Sequence, residues 1–247
     1  MEILIFSTQD EASEWAASMV VPLFLTQRLV RLGLATGNTM IPVYHAVIQQ
    51  LGAIKGPMTR HVETFNLDEY WPIAPEHPGS FSAFMHQYLF SQITPYLHQV
   101  HFLQGNTRDP DTECQRFEAL LNAQPLDCQL LGLGVNGHIG FNEPGTSFAS
   151  RTRKVRLSRS TIHRNSRQFP GVVPSEALTM GIANIMEAKQ ILLMAWGPEK
   201  RAVLTRAVRG PVGEDCPASV LQTHPNVMVI TDAEAGKHLL TADPFTA

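Results

Sequence analysis

The chain has 247 residues and carries 19 Lys and Arg against 22 Asp and Glu, a net charge of −3 with histidine neutral. An apolar share of 44% excludes a disordered chain, and a charged share of 17%, below the roughly 25% of average proteins, points to a compact fold with much buried surface. The near balance of charge argues against a nucleic-acid partner. Cys114, Cys128 and Cys216 are odd in number and far apart, with no CxxC pair, which excludes a disulfide framework or a cysteine-rich zinc site and predicts reduced thiols in a cytoplasm. The apolar run 15–25 is too short to span a bilayer, and Asp10, Glu11 and Glu14 are the wrong flank for a signal peptide, so neither export nor a membrane partner is expected.

In chain order, 3–6 reads as a strand, 11–25 as a helix, 30–35 as a strand, 41–51 as a helix and 62–67 as a strand. A helix over 81–93, a strand over 100–103, a helix over 112–121 and a strand over 128–133 follow. The last elements are a strand over 191–196, a helix over 199–208 and a strand over 227–230. Seven strands alternating with helices predict an α/β fold, with a largely parallel seven-stranded sheet and helices on both faces. No linker, internal repeat or low-complexity segment interrupts it, so residues 1–247 read as a single domain. The stretch 134–174 shows neither a strand nor a helix period, and a loop that long in a compact domain is commonly functional.

Ligands of open parallel sheets bind beyond the carboxyl ends of the strands. After the second strand comes Ala35-Thr36-Gly37-Asn38-Thr39 and a helix from about Met40. Gly37 permits a tight turn, Thr36 and Thr39 offer hydroxyls, and a helix start presents free N–H groups, which together describe an anion cradle or a capped β-to-α turn. The third strand runs into Asp68-Glu69 at the sheet mouth. A carboxyl held at such an edge is raised towards neutrality by desolvation, as a general base requires, whereas a solvated one is a loop acid or helix cap. Neighbouring residues of an extended chain point apart, so one of the two faces the pocket.

The fifth strand leads into Gly132-Leu133-Gly134-Val135-Asn136-Gly137-His138-Ile139-Gly140-Phe141-Asn142-Glu143-Pro144. Gly132, Gly134 and Gly137 match GxGxxG, but Gly140, Pro144 and Gly145 break the helix that a dinucleotide fingerprint needs, and no acid lies between Glu143 and Glu176 to hold a ribose. The glycines then let the backbone lie against a smaller ligand. Histidine is the side chain whose unperturbed pKa lies near working pH, and Glu143, five residues on, can fold back to orient His138 as a proton shuttle. There is no HExxH, and the close pair His98 and His101 lies away from these loops, so no metal is expected. Between Pro144 and Ser175 stand Arg151, Arg153, Lys154, Arg156, Arg159, Arg164 and Arg167 without one acid. That excess in a net acidic chain points to an anion partner, with a nucleic-acid groove as the rival, weakened by the scarcity of interleaved aromatics. Lys200, in the first turn of the 199–208 helix, opposes the helix dipole and is either a surface cation or an anion clamp.

These residues resemble the glucosamine-6-phosphate deaminase (glucosamine-6-phosphate isomerase) family. The likeness runs from the first strand to about Asp232 and is most specific at 65–70, 132–144, 149–153, 177–181 and 219–225. The resemblance implies a single Rossmann-like α/β domain and the conversion of glucosamine 6-phosphate and water to fructose 6-phosphate and ammonia in the cytoplasm, without a cofactor. It implies that Asp68 moves the proton between C2 and C1, and that His138, helped by Glu143 and Asn136, opens the sugar ring. Thr36, Gly37, Asn38, Thr39, Arg167 and Lys200 would hold the phosphate. The family's usual phosphate turn, Thr-Gly-Gly-Thr-Pro, is altered here by Asn38 and Met40, and Asn136 stands where many members have aspartate. A galactosamine-6-phosphate isomerase, a 6-phosphogluconolactonase and an idle sugar-phosphate sensor are the alternatives. Because the family includes monomers and hexamers, a homo-oligomer is possible.

Overall fold

In the computed structural model, residues 1–54, 60–166 and 169–240 are described. Seven parallel strands form the main sheet in the order β1-β10-β9-β6-β2-β3-β5. These are β1 (Glu2–Phe6), β2 (Val30–Leu34), β3 (Val62–Asn66), β5 (Leu97–His101), β6 (Cys128–Gly132), β9 (Ile191–Ala195) and β10 (Val227–Asp232). All five residues of β2 and of β9 are buried, as expected of central strands covered on both faces. The covering helices include α1 (Gln9–Phe24), α2 (Met40–Ala53), α3 (Phe81–Met85) and α4 (Ser91–Ile93). They continue with α5 (Pro110–Ala123), α6 (Arg159–Asn165), α7 (Ile182–Met186), α8 (Arg201–Arg209) and α9 (Ala233–Gly236).

The seven expected strands are the seven of this sheet, with one shift. The strand expected at 100–103 begins earlier because Val62 of β3 pairs with Leu97, and it ends at His101, while Leu103 enters the core. The helix expected over 81–93 is three pieces, since a π-helical turn at His86–Phe90 separates α3 from α4. The expectation of no regular structure across 134–174 is corrected. That stretch holds β7 (Arg153–Arg156) and α6. With β4 (Asp68–Trp71) and β8 (Glu176–Thr179), β7 forms a second, antiparallel sheet in the order β4-β8-β7.

Chain direction across the main sheet reverses between β2 and β6. From β2 the chain steps outward through β3 to β5; it then returns to β6 on the other side and steps through β9 to β10. Such a switch point opens a crevice at the carboxyl ends of its two strands. The turn after β2 and the loop after β6 meet there, and a Cβ on Gly132 would stand 3.7 Å from Thr39 Cβ. The second sheet begins where β3 ends. Leu67 N–H still bonds Leu34 O (3.0 Å), and Leu67 O accepts Met180 N–H (2.8 Å), so the chain changes sheets at Leu67 and delivers Asp68 at the crevice.

Candidate active site

The turn 35–39 is fixed from beneath. Tyr44, wholly buried on α2, donates its hydroxyl to Ala35 O (2.5 Å), and Trp196 Nε1 at the end of β9 donates to Thr39 O (2.9 Å). Gly37 has φ 99°, the left-handed region open to glycine, and its carbonyl accepts Met40 N–H (2.9 Å). Thr39, which precedes α2, does not use its hydroxyl as a helix cap. Thr36, Gly37, Asn38 and Thr39 all line a cleft of about 710 Å³. A preformed turn with spare donors at a helix start suits an anion.

Asp68 lines the same cleft and is 6% exposed. Burial first, and the neighbouring Glu69 second, push its carboxyl up to about 8. Glu69 points the other way, accepting the N–H groups of Tyr70 (2.9 Å), Phe81 (2.8 Å) and Ser82 (2.9 Å) at the start of α3. Burial raises its carboxyl, and these three bonds pull it back. Of the two adjacent acids, one is a structural cap and the other is free for chemistry. Gly140 lets the next loop close over Asp68: a Cβ there would lie 3.5 Å from Asp68 Oδ2 and 3.2 Å from Thr179 Oγ1.

His138 sits on a loop closed by Gly134 N–H to His138 O (2.9 Å) and Gly137 N–H to Gly134 O (2.9 Å). Its imidazole lies flat on Gly134, where any Cβ would come within 2.3 Å of the ring. One side of the ring lines the cleft, while Nδ1 is buried without a hydrogen bond, 3.7 Å from Glu143 Oε2. Asn136 ties the pair together, donating Nδ2 to Glu143 Oε2 (2.5 Å) and accepting His138 N–H at Oδ1 (3.3 Å). Glu143 Oε1 accepts the hydroxyls of Thr161 and Ser158 (3.2 Å to the latter). Burial tends to raise the Glu143 carboxyl, but His138, Thr161 and Asn136 outweigh it and hold it at about 2. Glu143 is therefore an anion behind His138. Neither it nor Asn136 lines the cleft.

Among the described residues, two cations reach the cleft, Lys200 and Arg164. Lys200 lies in a short 3-10 turn (Pro198–Lys200) before α8 and donates to Leu133 O (2.6 Å). Burial lowers its pKa, Glu199 opposes that, and the charge of Arg164 adds to it. Arg167 lies outside the described residues. Several members of the basic run are engaged within the fold, and of its described members Arg164 lines the cleft. Arg151 pairs with Glu118 (2.6 Å) and Glu187, Lys154 with Glu176 (3.4 Å), and Arg153 donates to Asn142 Oδ1 (3.0 Å).

Sequence reasoning missed the aromatic wall formed by Tyr70, Phe81, Phe84, Phe141 and Phe169. The one available signal was the density of phenylalanine at 81–84 and beside Gly140, which equally describes core. It also missed Asn142, wholly buried, whose Nδ2 bonds Ile139 O and Met180 O (2.9 Å each) and fixes the loop to the second sheet.

Fold and cleft together define a doubly wound α/β protein with the acid-base side chains Asp68 and His138 beside the 36–39 turn at its switch point. Residues 7–230 match the family model for glucosamine-6-phosphate isomerases and 6-phosphogluconolactonase, and the chain belongs to that family. It is 43% identical over 238 residues to a glucosamine-6-phosphate deaminase of Geobacillus sp. (strain WCH70), covering 95% of this chain and 94% of the relative. It is 42% identical over 247 residues to glucosamine-6-phosphate deaminase 2 of Bacillus subtilis (strain 168), covering 98% and 99%. Among solved structures, a monomeric glucosamine-6-phosphate deaminase superposes with a TM-score of 0.89 at 37% identity, over 96% of this chain and 99% of the other. The 6-phosphogluconolactonase of Leishmania guyanensis gives 0.75 at 16% identity, over 97% and 99%, a likeness of fold alone.

Proposed function

We infer that this enzyme is a glucosamine-6-phosphate deaminase, converting glucosamine 6-phosphate and water to fructose 6-phosphate and ammonia. The observation that carries the reading is the cleft itself, where a buried Asp68 carboxyl and the His138 ring backed by ionised Glu143 face one space beside the 36–39 turn. The phosphate sits in that turn, neutralised by Lys200, and its remote binding energy positions the sugar. His138 takes the proton of the O1 hydroxyl and returns it to the ring oxygen, opening the ring, while Glu143 stabilises the transient imidazolium and Asn136 keeps the two aligned. Asp68 then removes the proton from C2 while the substrate's 2-ammonium group passes a proton to O1, leaving an enolamine, and Asp68 gives its proton to C1. Water adds to the resulting imine at C2, and ammonia leaves. Proton transfers, the addition of water and the departure of ammonia make up the whole sequence, so no cofactor is invoked.

We read residues 1–247 as one functional unit, since both sheets contribute to the cleft. We place it in the cytoplasm, because all three cysteines are buried free thiols and its substrate is a small phosphorylated sugar. No helix among the described residues is long and apolar enough to cross a membrane. The test is ammonia release by the purified protein with glucosamine 6-phosphate and galactosamine 6-phosphate in parallel. Fructose 6-phosphate and ammonia from the gluco sugar is the expected result. Release from the galacto sugar alone would replace the substrate, and silence with both would overturn the activity.

A further inference from the structure

The stretch that carries most of the unexplained contacts to the site is α6. Its first residues reach the Glu143 carboxylate, and its last ones reach the strand of Asp68. Ser158, which precedes α6, accepts Thr161 N–H (3.2 Å), and its hydroxyl lies 3.0 Å from Thr161 Oγ1, 2.9 Å from Ser160 Oγ and 3.2 Å from Glu143 Oε1. Its single proton is shared among these partners. Thr161, 3% exposed, directs its hydroxyl at Glu143 Oε1 and lines the cleft. At the other end, Asn165 Nδ2 donates to Tyr70 Oη (2.6 Å), two residues from Asp68 on β4, and Arg164 faces the cleft.

We propose that Thr161 is a positioning residue for the proposed ring opening: its hydroxyl holds Glu143 turned toward His138 in its anionic form. The proposal rests on the deaminase reading and extends it to a residue outside the loop that carries the acid-base groups. The geometry leaves the task to Thr161. Glu143 Oε2 is occupied by Asn136 and faces His138, so the orientation of the carboxylate depends on what grips Oε1. Only the two hydroxyls do so among the described residues, and that of Ser158 is divided. A hydrogen bond to the charged form favours that form, and its loss from a half-buried carboxylate moves the proton equilibrium upward.

The groups around Glu143 are few. Its one ion-pair partner among the described residues is His138, at 3.7 Å. The loop after β6 presents the neutral amide of Asn136, and α6 presents neutral hydroxyls. From the segment packed against 145–148, Glu214 turns its carboxylate to Phe148 N–H (3.1 Å), away from the pair.

The test uses the whole protein with carboxyl-labelled glutamate, Glu143 being assigned by Glu143→Gln. Its titration is followed by carbon NMR in wild type, Thr161→Val and Thr161→Ser, alongside kcat and KM as functions of pH and the binding of inorganic phosphate. The isosteric Thr161→Val is expected to raise the Glu143 midpoint by about one pH unit or more, and, through the loosened carboxylate, to lower kcat across the profile with KM nearly unchanged. Phosphate binding is expected to stay within twofold of wild type. Thr161→Ser, which keeps the hydroxyl, is expected to restore both the midpoint and the profile. An unmoved midpoint in Thr161→Val, or a serine variant as displaced as the valine one, would overturn the proposal. Should the valine variant not fold, Thr161→Ala takes its place. Because the titration needs no turnover, an inactive wild type would remove the deaminase reading while the NMR still decides the role of the hydroxyl.

Discussion

Asp68 and Glu69 are adjacent carboxyls with different work, and the alternation of an extended strand separates them. Glu69 spends its oxygens on three backbone N–H groups, whereas Asp68 is left in a buried wall of the cleft and rises to about 8. The sign of the linkage follows. A carboxyl whose folded pKa exceeds its unfolded value of 3.8 adds stability when protonated, and that contribution disappears as pH climbs from about 4 to about 8. Asp68→Asn removes this loss while leaving Glu69 in place. Its melting temperature relative to wild type should therefore rise steadily between pH 5 and pH 8. A difference that stayed flat across that range would mean that Asp68 ionises as an ordinary exposed carboxyl. The alternation of Asp68 and Glu69 was legible in the sequence; the three bonds that hold Glu69 were not, because their donors lie up to 13 residues away at the start of α3.

The two loops at the switch point differ in how they are held. The turn after β2 hangs on two bonds from buried aromatics, a local one from Tyr44 and one from Trp196 that spans 157 residues of sequence. Trp196→Phe keeps the ring in its 6%-exposed site but deletes the bond to Thr39 O. A net hydrogen bond is worth about 1 kcal/mol, so KM for the sugar phosphate should rise about fivefold with kcat nearly unchanged. Steady-state kinetics would check this, and a fall in kcat at constant KM would place Trp196 in the chemistry instead. The loop after β6 is held by its own glycines and by Asn142, and its compact form explains why a GxGxxG spacing here carries no dinucleotide helix. The strands of the second sheet escaped sequence reading for a related reason. Each has four residues, and β7 alternates half-buried Arg153 and Val155 with exposed Lys154 and Arg156, so its inward face offers a single apolar side chain and gives no apolar stripe.

Across the whole molecule, the seven-stranded sheet was legible because β2, β6 and β9 are apolar runs bounded by turn residues, and order along the sheet then places Thr36, Asp68, His138 and Lys200 at one crevice. The division of labour within the basic stretch was not legible. Charge is additive in a sequence, but Arg151 and Lys154 find carboxylates on α5, just after α7 and on β8 once the chain folds, and only Arg164 among the described members of the run lines the cleft. The family match and the 0.89 superposition on a glucosamine-6-phosphate deaminase fit that architecture. The central claim is that Asp68 carries the proton from C2. It is tested most directly by turnover of glucosamine 6-phosphate deuterated at C2, followed by NMR in wild type and Asp68→Asn. Wild type is expected to move the label from C2 to C1 or to solvent while forming fructose 6-phosphate, and the variant to bind inorganic phosphate yet leave C2 labelled. Loss of the label from C2 in Asp68→Asn at a rate near wild type would contradict it.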